Sequence, residues 1–580
     1  MIRDNGEIRL KSIEMAGLRR EADTLLTGVK LLNVFTGEVT TTNVALGGGR
    51  IVGIGSQYRR AQEVFDLYGK YVLPGLIEGH IHIESSLLTP EGFAEAVVPR
   101  GTTAVIADPH EIANVLGLDG VRYMLRASQD LPLDCYFMAS SCVPATELET
   151  AGASLGLEAI GALLEEDRVL GLAEVMDYPG VIHGRRDILE KIALARSRGK
   201  VVNGHAPHLT GEGLMAYLGA GIGSDHESTT LEEAQEKLRL GMRVMIREGS
   251  QARNLAELLP LVTPVTGRRC LLVSDDKEPH ELVAHGHLDA LLRRAVSMGL
   301  SPHLAVQLVT LNVAEAFGLR DRGALAPGYL ADLVVVDNLR EFIPLLVFKG
   351  GRLVAEEGKL LREIPRRRER GILDTVRIPP LSTENLRIPV RGTRFVRVIG
   401  LVPGQITTRR LVLEALVADG EVCADPARDI LKLVVVERHG RNGNIGLGLV
   451  QGFGLRQGAL ASSVAHDSHN LIAVGVEERD LLTALEHVAA IGGGLAVAAR
   501  GEILASLSLP VAGLMSEEKP GDVAAAMEHL LLNARDLGCI APNPFAALSF
   551  LALPVIPEIR LTDRGLVNVG KGEFLSLAFP

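Results

Sequence analysis

The sequence is missing several features that would each mark a function class. It has no basic excess: 71 Asp and Glu outnumber 60 Lys and Arg, for a net charge of −11. Binding a phosphate backbone needs a basic footprint, so this balance argues against a nucleic-acid partner. No apolar run is long enough, and free enough of charge and glycine, to span a membrane. The charged start, Met1-Ile2-Arg3-Asp4-Asn5-Gly6-Glu7, lacks the apolar core of a secretion leader. Cysteine is scarce. Cys135, Cys142, Cys270, Cys423 and Cys539 are scattered, odd in number and never paired as Cys-x-x-Cys. They read as reduced thiols, neither a disulfide framework nor a thiolate zinc site. A cytoplasmic globular protein remains, and its 580 residues imply more than one domain.

What is present is an alternation. From Tyr71 to Asp276, eight strand-like runs recur: "YVLPGLIEGHIHIE", "TTAVIADPHE", "DCYFMASS", "VLGLAEVMD", "KVVNGHAP", "GIGSDHE", "RVMIREGS" and "CLLVSDD". Helix-like runs such as "RRDILEKIALARSRG", "LEEAQEKLRLG" and "HLDALLRRAVSMG" lie between or after them, with apolar residues at three- and four-residue steps. Eight successive βα units fit an α/β fold closed as a TIM-like (β/α)8 barrel better than an open doubly wound sheet. Gly-punctuated β-rich texture flanks this middle on both sides, which predicts a small discontinuous β-sandwich domain from residues 1–75 and 323–370. The barrel then covers 76–322. A charged run, "LREIPRRRERG", and a proline-marked stretch predict a boundary, after which 371–580 reads as a C-terminal α+β domain.

The polar residues on the predicted strands gather at their C-terminal ends, where barrel enzymes build their sites. Strand one ends in His80 and His82, two apart and therefore on one side of the strand. Strand four carries Glu174, strand five ends at His205, strand six at His226 and strand eight at Asp275. Any one of these reads equally well as a loop or cap residue. Together, four imidazoles and two carboxylates form a nitrogen and oxygen set that suits two divalent cations bridged by a carboxylate and a hydroxide.

These residues carry a resemblance. "VLPGLIEGHIHIE", the single His205 and His226, Asp275 and the closing "GALAPGYLADLVVVD" resemble the amidohydrolase superfamily of metal-dependent hydrolases. Within it, "GHIHIESS", "ADPHEIANV", "AEVMDYPGV", "NGHAP", "GSDHES", "SDD" and "HDSHN" resemble the adenine deaminases, from about Thr24 to the C-terminus. Many superfamily members bridge their metals with a carbamylated lysine on strand four. Here Glu174 takes that place, as it does in the adenine deaminases. The resemblance implies hydrolytic deamination of adenine to hypoxanthine and ammonia, a purine-salvage reaction. It favours Mn(II) or Fe(II), while Zn(II) also tolerates these ligands.

In the implied mechanism, Asp275 is both ligand and base, taking a proton from water and passing it to the departing ammonia. Glu227 and Asp276 are candidates for supporting a ring nitrogen, or else for orienting His226 and Asp275. Glu84 and Ser86, with His110 and Glu111 after strand two, are candidates for substrate contact or ligand support. His466, Asp467 and His469 lie in the last domain, where a lid over the barrel mouth, a further metal site and a capping role all stay open. His285, His287 and His183 read as loop or cap residues. The glycines of Gly446 to Gly458 lack dinucleotide spacing and read as turn formers. The partner is a small purine base, and the chain is expected to form a homo-oligomer, a dimer or larger. Two rival readings are a cyclic amidase of the dihydroorotase or hydantoinase type and a non-catalytic scaffold. The missing strand-four lysine and the extra domain weigh against the first, and the full set of six ligands against the second.

Overall fold

The computed structural model describes residues 6–579 except Arg391, Thr393 and Gly404, so Met1 to Asn5 of the charged start lie outside the described residues. Eight parallel strands pair in chain order: Leu76–Ile81, Thr102–Ala107, Asp134–Ala139, Val169–Val175, Val201–Gly204, Ser224–Asp225, Arg243–Arg247 and Cys270–Val273. A parallel bridge between Ile81 and Asp275 brings the last strand to the first and closes the barrel. Asp275 N donates to His80 O at 3.0 Å there, so the closing seam runs through two residues of the candidate site.

These strands read as continuous apolar runs because both of their faces are covered. Ile77, Ala104, Ile106, Met138, Ala173 and Leu271 fill the barrel interior, with Val313 and Phe317 packed against them. The outer faces are covered by helices that include His110–Ala127, Arg186–Ser197, Leu231–Arg239 and Leu288–Ser297.

The run "YVLPGLIEGHIHIE" is two strands rather than one. Tyr71–Pro74 pairs antiparallel with Leu333–Val336 in a nine-stranded sheet drawn from both flanks of the barrel, and Leu76–Ile81 then enters the barrel. The break falls at Pro74-Gly75. A Cβ on Gly75 would stand 2.3 Å from the Thr103 hydroxyl, so glycine is required where the chain passes between the two sheets.

The charged run near residues 362–370 does not hang free. Arg366 pairs with Glu95 at 2.8 Å, Arg367 with Asp130 at 3.0 Å and Glu369 with Arg126 at 2.7 Å, all on the barrel's outer layer. Beyond it, eight main strands and the short Ala578–Phe579 form a second nine-stranded sheet, flanked by helix Glu478–Ala490. Gly446 serves a close approach there, since its Cβ would lie 1.9 Å from the Thr562 carbonyl oxygen. Helix Pro520–Asp536 packs against Pro279–His285 on the barrel rim, which sets this C-terminal layer over the mouth. All five cysteines are free thiols. No helix among the described residues is long and apolar enough to cross a membrane.

Candidate metal centre

Each strand-end residue singled out in the sequence comes to one place. The His82 Nδ1 lies 2.9 Å from the Asp108 carbonyl oxygen, which fixes its proton there and turns the Nε2 lone pair into the site. That Nε2 stands 3.3 Å from Asp275 Oδ1 and 3.4 Å from Glu174 Oε1. His80 Nε2 is buried without a hydrogen-bond partner, 3.3 Å from the same Asp275 oxygen. On the other side, His205 Nδ1 lies 2.5 Å and His226 Nε2 3.2 Å from Glu174 Oε2. Glu174 therefore stands between two sets of imidazoles, one oxygen toward each.

This arrangement fits a pair of divalent cations. The ring centroids of His80 and His226 are only 4.1 Å apart. The donor atoms fall into overlapping groups in which every atom lies within 4.8 Å of the others: His80, His82 and Asp275; His80, Glu174 and His226; His205, His226 and Glu227. An orphaned imidazole nitrogen facing a carboxylate in a buried site is the surrounding a metal ligand needs. Burial alone would raise the Glu174 and Asp275 carboxyls. For Glu174 the His226 and His205 rings prevail, and for Asp275 the closeness of the His80 and His82 rings with the Arg247 charge, so both are held well below the usual range. Asp275 reaches its position with φ of +60°, a left-handed backbone unusual for a non-glycine residue and found often at functional sites.

Arg247 was not foreseen. It ends the seventh strand, grips Glu227 with both Nη atoms, and places Nη1 3.0 Å from Asp275 Oδ2. A charged residue closing the apolar run Val244–Ile246 was the available signal. Glu227 thus spends both oxygens on Arg247, with Oε1 also 3.5 Å from His226 Nε2. Asp276 differs. It lines the cleft and accepts from the Ser85 hydroxyl, and burial followed by the Asp275 charge pushes its carboxyl up. Ser86 turns its hydroxyl onto the Ile83 carbonyl at 2.6 Å, so Ser85 is the serine that faces the cleft. The chain after His82 coils into a short 3-10 turn, which sets the directions of the two serines.

His110 lies closer to the centre than its place after strand two suggested. Its Nδ1 is 3.4 Å from Glu174 Oε1 and 3.3 Å from Asp108 Oδ2. Asp108 does not cap the following helix; it takes the Ser140 hydroxyl at 2.8 Å. Glu84, pushed up to about 7 chiefly by burial, accepts from Ile112 N at 3.2 Å and lines the cleft. The cleft lies between the barrel rim and the C-terminal layer and is lined from both, by Glu84, Glu111 and Asp276 on one side and His466, Asn543 and Phe550 on the other.

His466 and His469 form part of its roof. His466 Nδ1 meets Glu111 Oε1 at 2.8 Å, its ring stacks on Phe550 at 4.7 Å, and His469 Nε2 meets Glu111 Oε2. Ala465 N donates to His469 Nδ1 at 3.1 Å, so the proton of that ring sits on Nε2 and is donated to Glu111. A ring in that tautomer offers Glu111 a hydrogen bond and has no lone pair left for a cation. Asp467 is buried with its Oδ1 4.0 Å from His110 Nε2. His287 is fully buried between Thr102, at 2.8 Å, and Glu78, at 3.3 Å. His183 stays exposed at a helix end, and His285 ends the helix Pro279–His285.

A buried network holds the second half of the centre. Asp225 accepts from Ala206 N, Glu227 N and the Ser228 hydroxyl, and its charge is matched by Lys237 at 2.9 Å. Lys237 is fully buried and also bonds Glu233 at 2.7 Å. Removing one partner of such a pair leaves an uncompensated charge and costs about 3–5 kcal/mol. Lys237→Met is therefore expected to lower the thermal midpoint of the barrel and its metal content together, which calorimetry and elemental analysis of one preparation would check.

Comparison with known proteins follows the same division. A family model described as "Amidohydrolase family" matches residues 71–354, and one described as "Adenine deaminase C-terminal domain" matches residues 405–573. An adenine deaminase of Dehalococcoides mccartyi is 49% identical over 557 residues, 96% of this chain and 97% of its own. Relatives of the same description from Desulfatibacillum aliphaticivorans and, as adenine deaminase 2, from Carboxydothermus hydrogenoformans are each 47% identical, over 96% of this chain and 97% of theirs.

Proposed function

We propose, from the premise that the chain belongs to the adenine deaminases of the amidohydrolase family, that His80, His82, Glu174, His205, His226 and Asp275 hold two divalent cations at its active centre. The reaction is the hydrolytic deamination of adenine to hypoxanthine and ammonia. The reading rests on one observation: the two oxygens of Glu174 face different imidazole sets, His82 on one side, His205 and His226 on the other. The donors suit manganese(II) or iron(II), and zinc(II) tolerates them too.

Bound cations would supply a water acidified enough to act as nucleophile near neutral pH. Asp275, kept ionised beside Arg247, accepts the proton of that water and returns it to the amine leaving C6. Asp276, on the cleft wall with its carboxyl pushed up by burial and by the Asp275 charge, is the group set to meet a ring nitrogen that gathers negative charge. Glu227, tied to Arg247, orients His226. His466 and Phe550 cover the bound ring and limit water. The same reading includes domain limits at 1–75 with 323–370, 76–322 and 371–580, a homo-oligomer of two or more chains, and a cytoplasmic location.

The test is direct. Protein grown with manganese and with iron chelated is given adenine, with cytosine, guanine, adenosine and dihydroorotate beside it, and absorbance and ammonia are followed together. Ammonia in step with adenine loss is expected. A metal-filled protein that leaves adenine untouched would overturn the reading.

Loading also carries a proton signature. Burial disfavours the charged His226 ring, yet Glu174 overrides it and lifts the pKa to about 9. Below that pH the metal-free ring is an imidazolium and must shed its proton to ligate. At least one proton per chain should therefore appear in weak buffer at pH 7.5 on metal addition, and affinity should rise with pH toward about 9. A pH-stat titration checks both.

A further inference from the structure

The cleft has a second acidic end. Glu278 begins the helix Pro279–His285, three residues beyond Asp275, and lines the cleft with Asp276, Gln251 and Asn543. Three residues of chain reach at most about 10–11 Å, so Glu278 and the Asp275 end of the cleft are both within reach of one bound base. The carboxyl has no lysine or arginine ion pair among the described residues. His280 Nδ1 is 3.5 Å away but makes no hydrogen bond. Two neutral amides hold it instead: Gln251 Nε2 donates to Oε1 at 2.6 Å, and Asn543 Nδ2 donates to Oε2.

The orientation of Asn543 is settled by its other atom. Its Oδ1 accepts from Ala546 N at 3.1 Å as the cap of helix Pro544–Phe550, so its amide nitrogen must face Glu278. Gln251 follows the seventh barrel strand and Asn543 comes from the C-terminal layer, so the acceptor is assembled across the two. A carboxylate has about four lone-pair sites, and two of these remain for the cleft. Burial pushes this carboxyl up to about 7, a group short of counter-charge and poised for a donor. The free base offers one donor on its imidazole ring, the N9–H. In a nucleoside that position carries the sugar.

We propose that Glu278, oriented by Asn543 and Gln251, accepts the N9–H of the bound base and thereby selects free bases over nucleosides. The inference rests on the adenine reading above, and the test separates the two. kcat and KM are measured for adenine and 9-methyladenine with wild-type protein, Glu278→Ala and Glu278→Gln, each checked for metal content and melting temperature. Wild type is expected to favour adenine strongly. Both variants should lose roughly 10- to 150-fold in kcat/KM for adenine, the range of a charge-assisted hydrogen bond, mainly through KM. Turnover of 9-methyladenine should hold or rise in Glu278→Ala, so the preference collapses. A merely structural role would lower both substrates alike. An undiminished preference in either folded variant, or a wild type indifferent to the methyl group, overturns the proposal. A wild type inactive on adenine would instead strike the adenine reading itself.

Discussion

A Glu174→Gln variant should lose adenine turnover by more than a thousandfold, about 4 kcal/mol of barrier, and should purify with less metal. The substitution is nearly isosteric, so the buried space around it stays filled. What changes is charge. Glutamine offers one neutral oxygen where the carboxylate has one oxygen toward His82 and another toward His205 and His226. An amide nitrogen would then face either one imidazole set or the other, and the two halves of the centre could not share an anion. Removal of the carboxylate should also return the His226 pKa toward the range of a free imidazole, because Glu174 is the strongest influence raising it. Proton release on metal loading should shrink with it. Kinetics, elemental analysis and the pH-stat trace would be read on one sample.

Asp275→Asn is expected to fail differently. General acid–base catalysis contributes typically 10²–10⁴-fold, and loss of a ligand oxygen adds to it, so kcat should fall by about 10³–10⁴-fold while KM moves little. Asparagine keeps one oxygen near His80 and His82, so metal retention in excess manganese should exceed that of Glu174→Gln. Arg247 loses an anionic partner but keeps Glu227, and the rim should stay folded. A variant with full metal and a wild-type rate would remove Asp275 from proton transfer. The contrast between the two variants matters more than either loss alone.

The six candidate ligands were legible because a parallel barrel separates its signals. Its strands are apolar on both faces, so a histidine or carboxylate at a strand end stands out, and strand order alone ranks the candidates around one rim. The barrel and its added layers were readable for the same reason. Arg247 was missed because a single arginine after "RVMI" has the look of a solvated strand terminus, and only its neighbours on the sixth and eighth strands give it partners. Ser85 was missed because Ile83–Ser86 coils into a 3-10 turn after the extended His82, and nothing in "HIESS" tells which of the two serines faces the cleft. The division of "YVLPGLIEGHIHIE" at Gly75 depends on Leu333–Val336, some 260 residues later. The roof residues His466 and His469 face the same difficulty, since their partner, Glu111, comes from the barrel's second unit. Contacts between distant segments leave no local periodicity to read.

The most direct test of the account is to strip the protein of metal and add manganese back in measured steps, recording ammonia release from adenine at each. If Glu174 bridges two cations, activity should be absent from the stripped protein, climb with added metal and level off at two equivalents per chain. Full activity without metal, or a plateau at one equivalent, would contradict the paired centre.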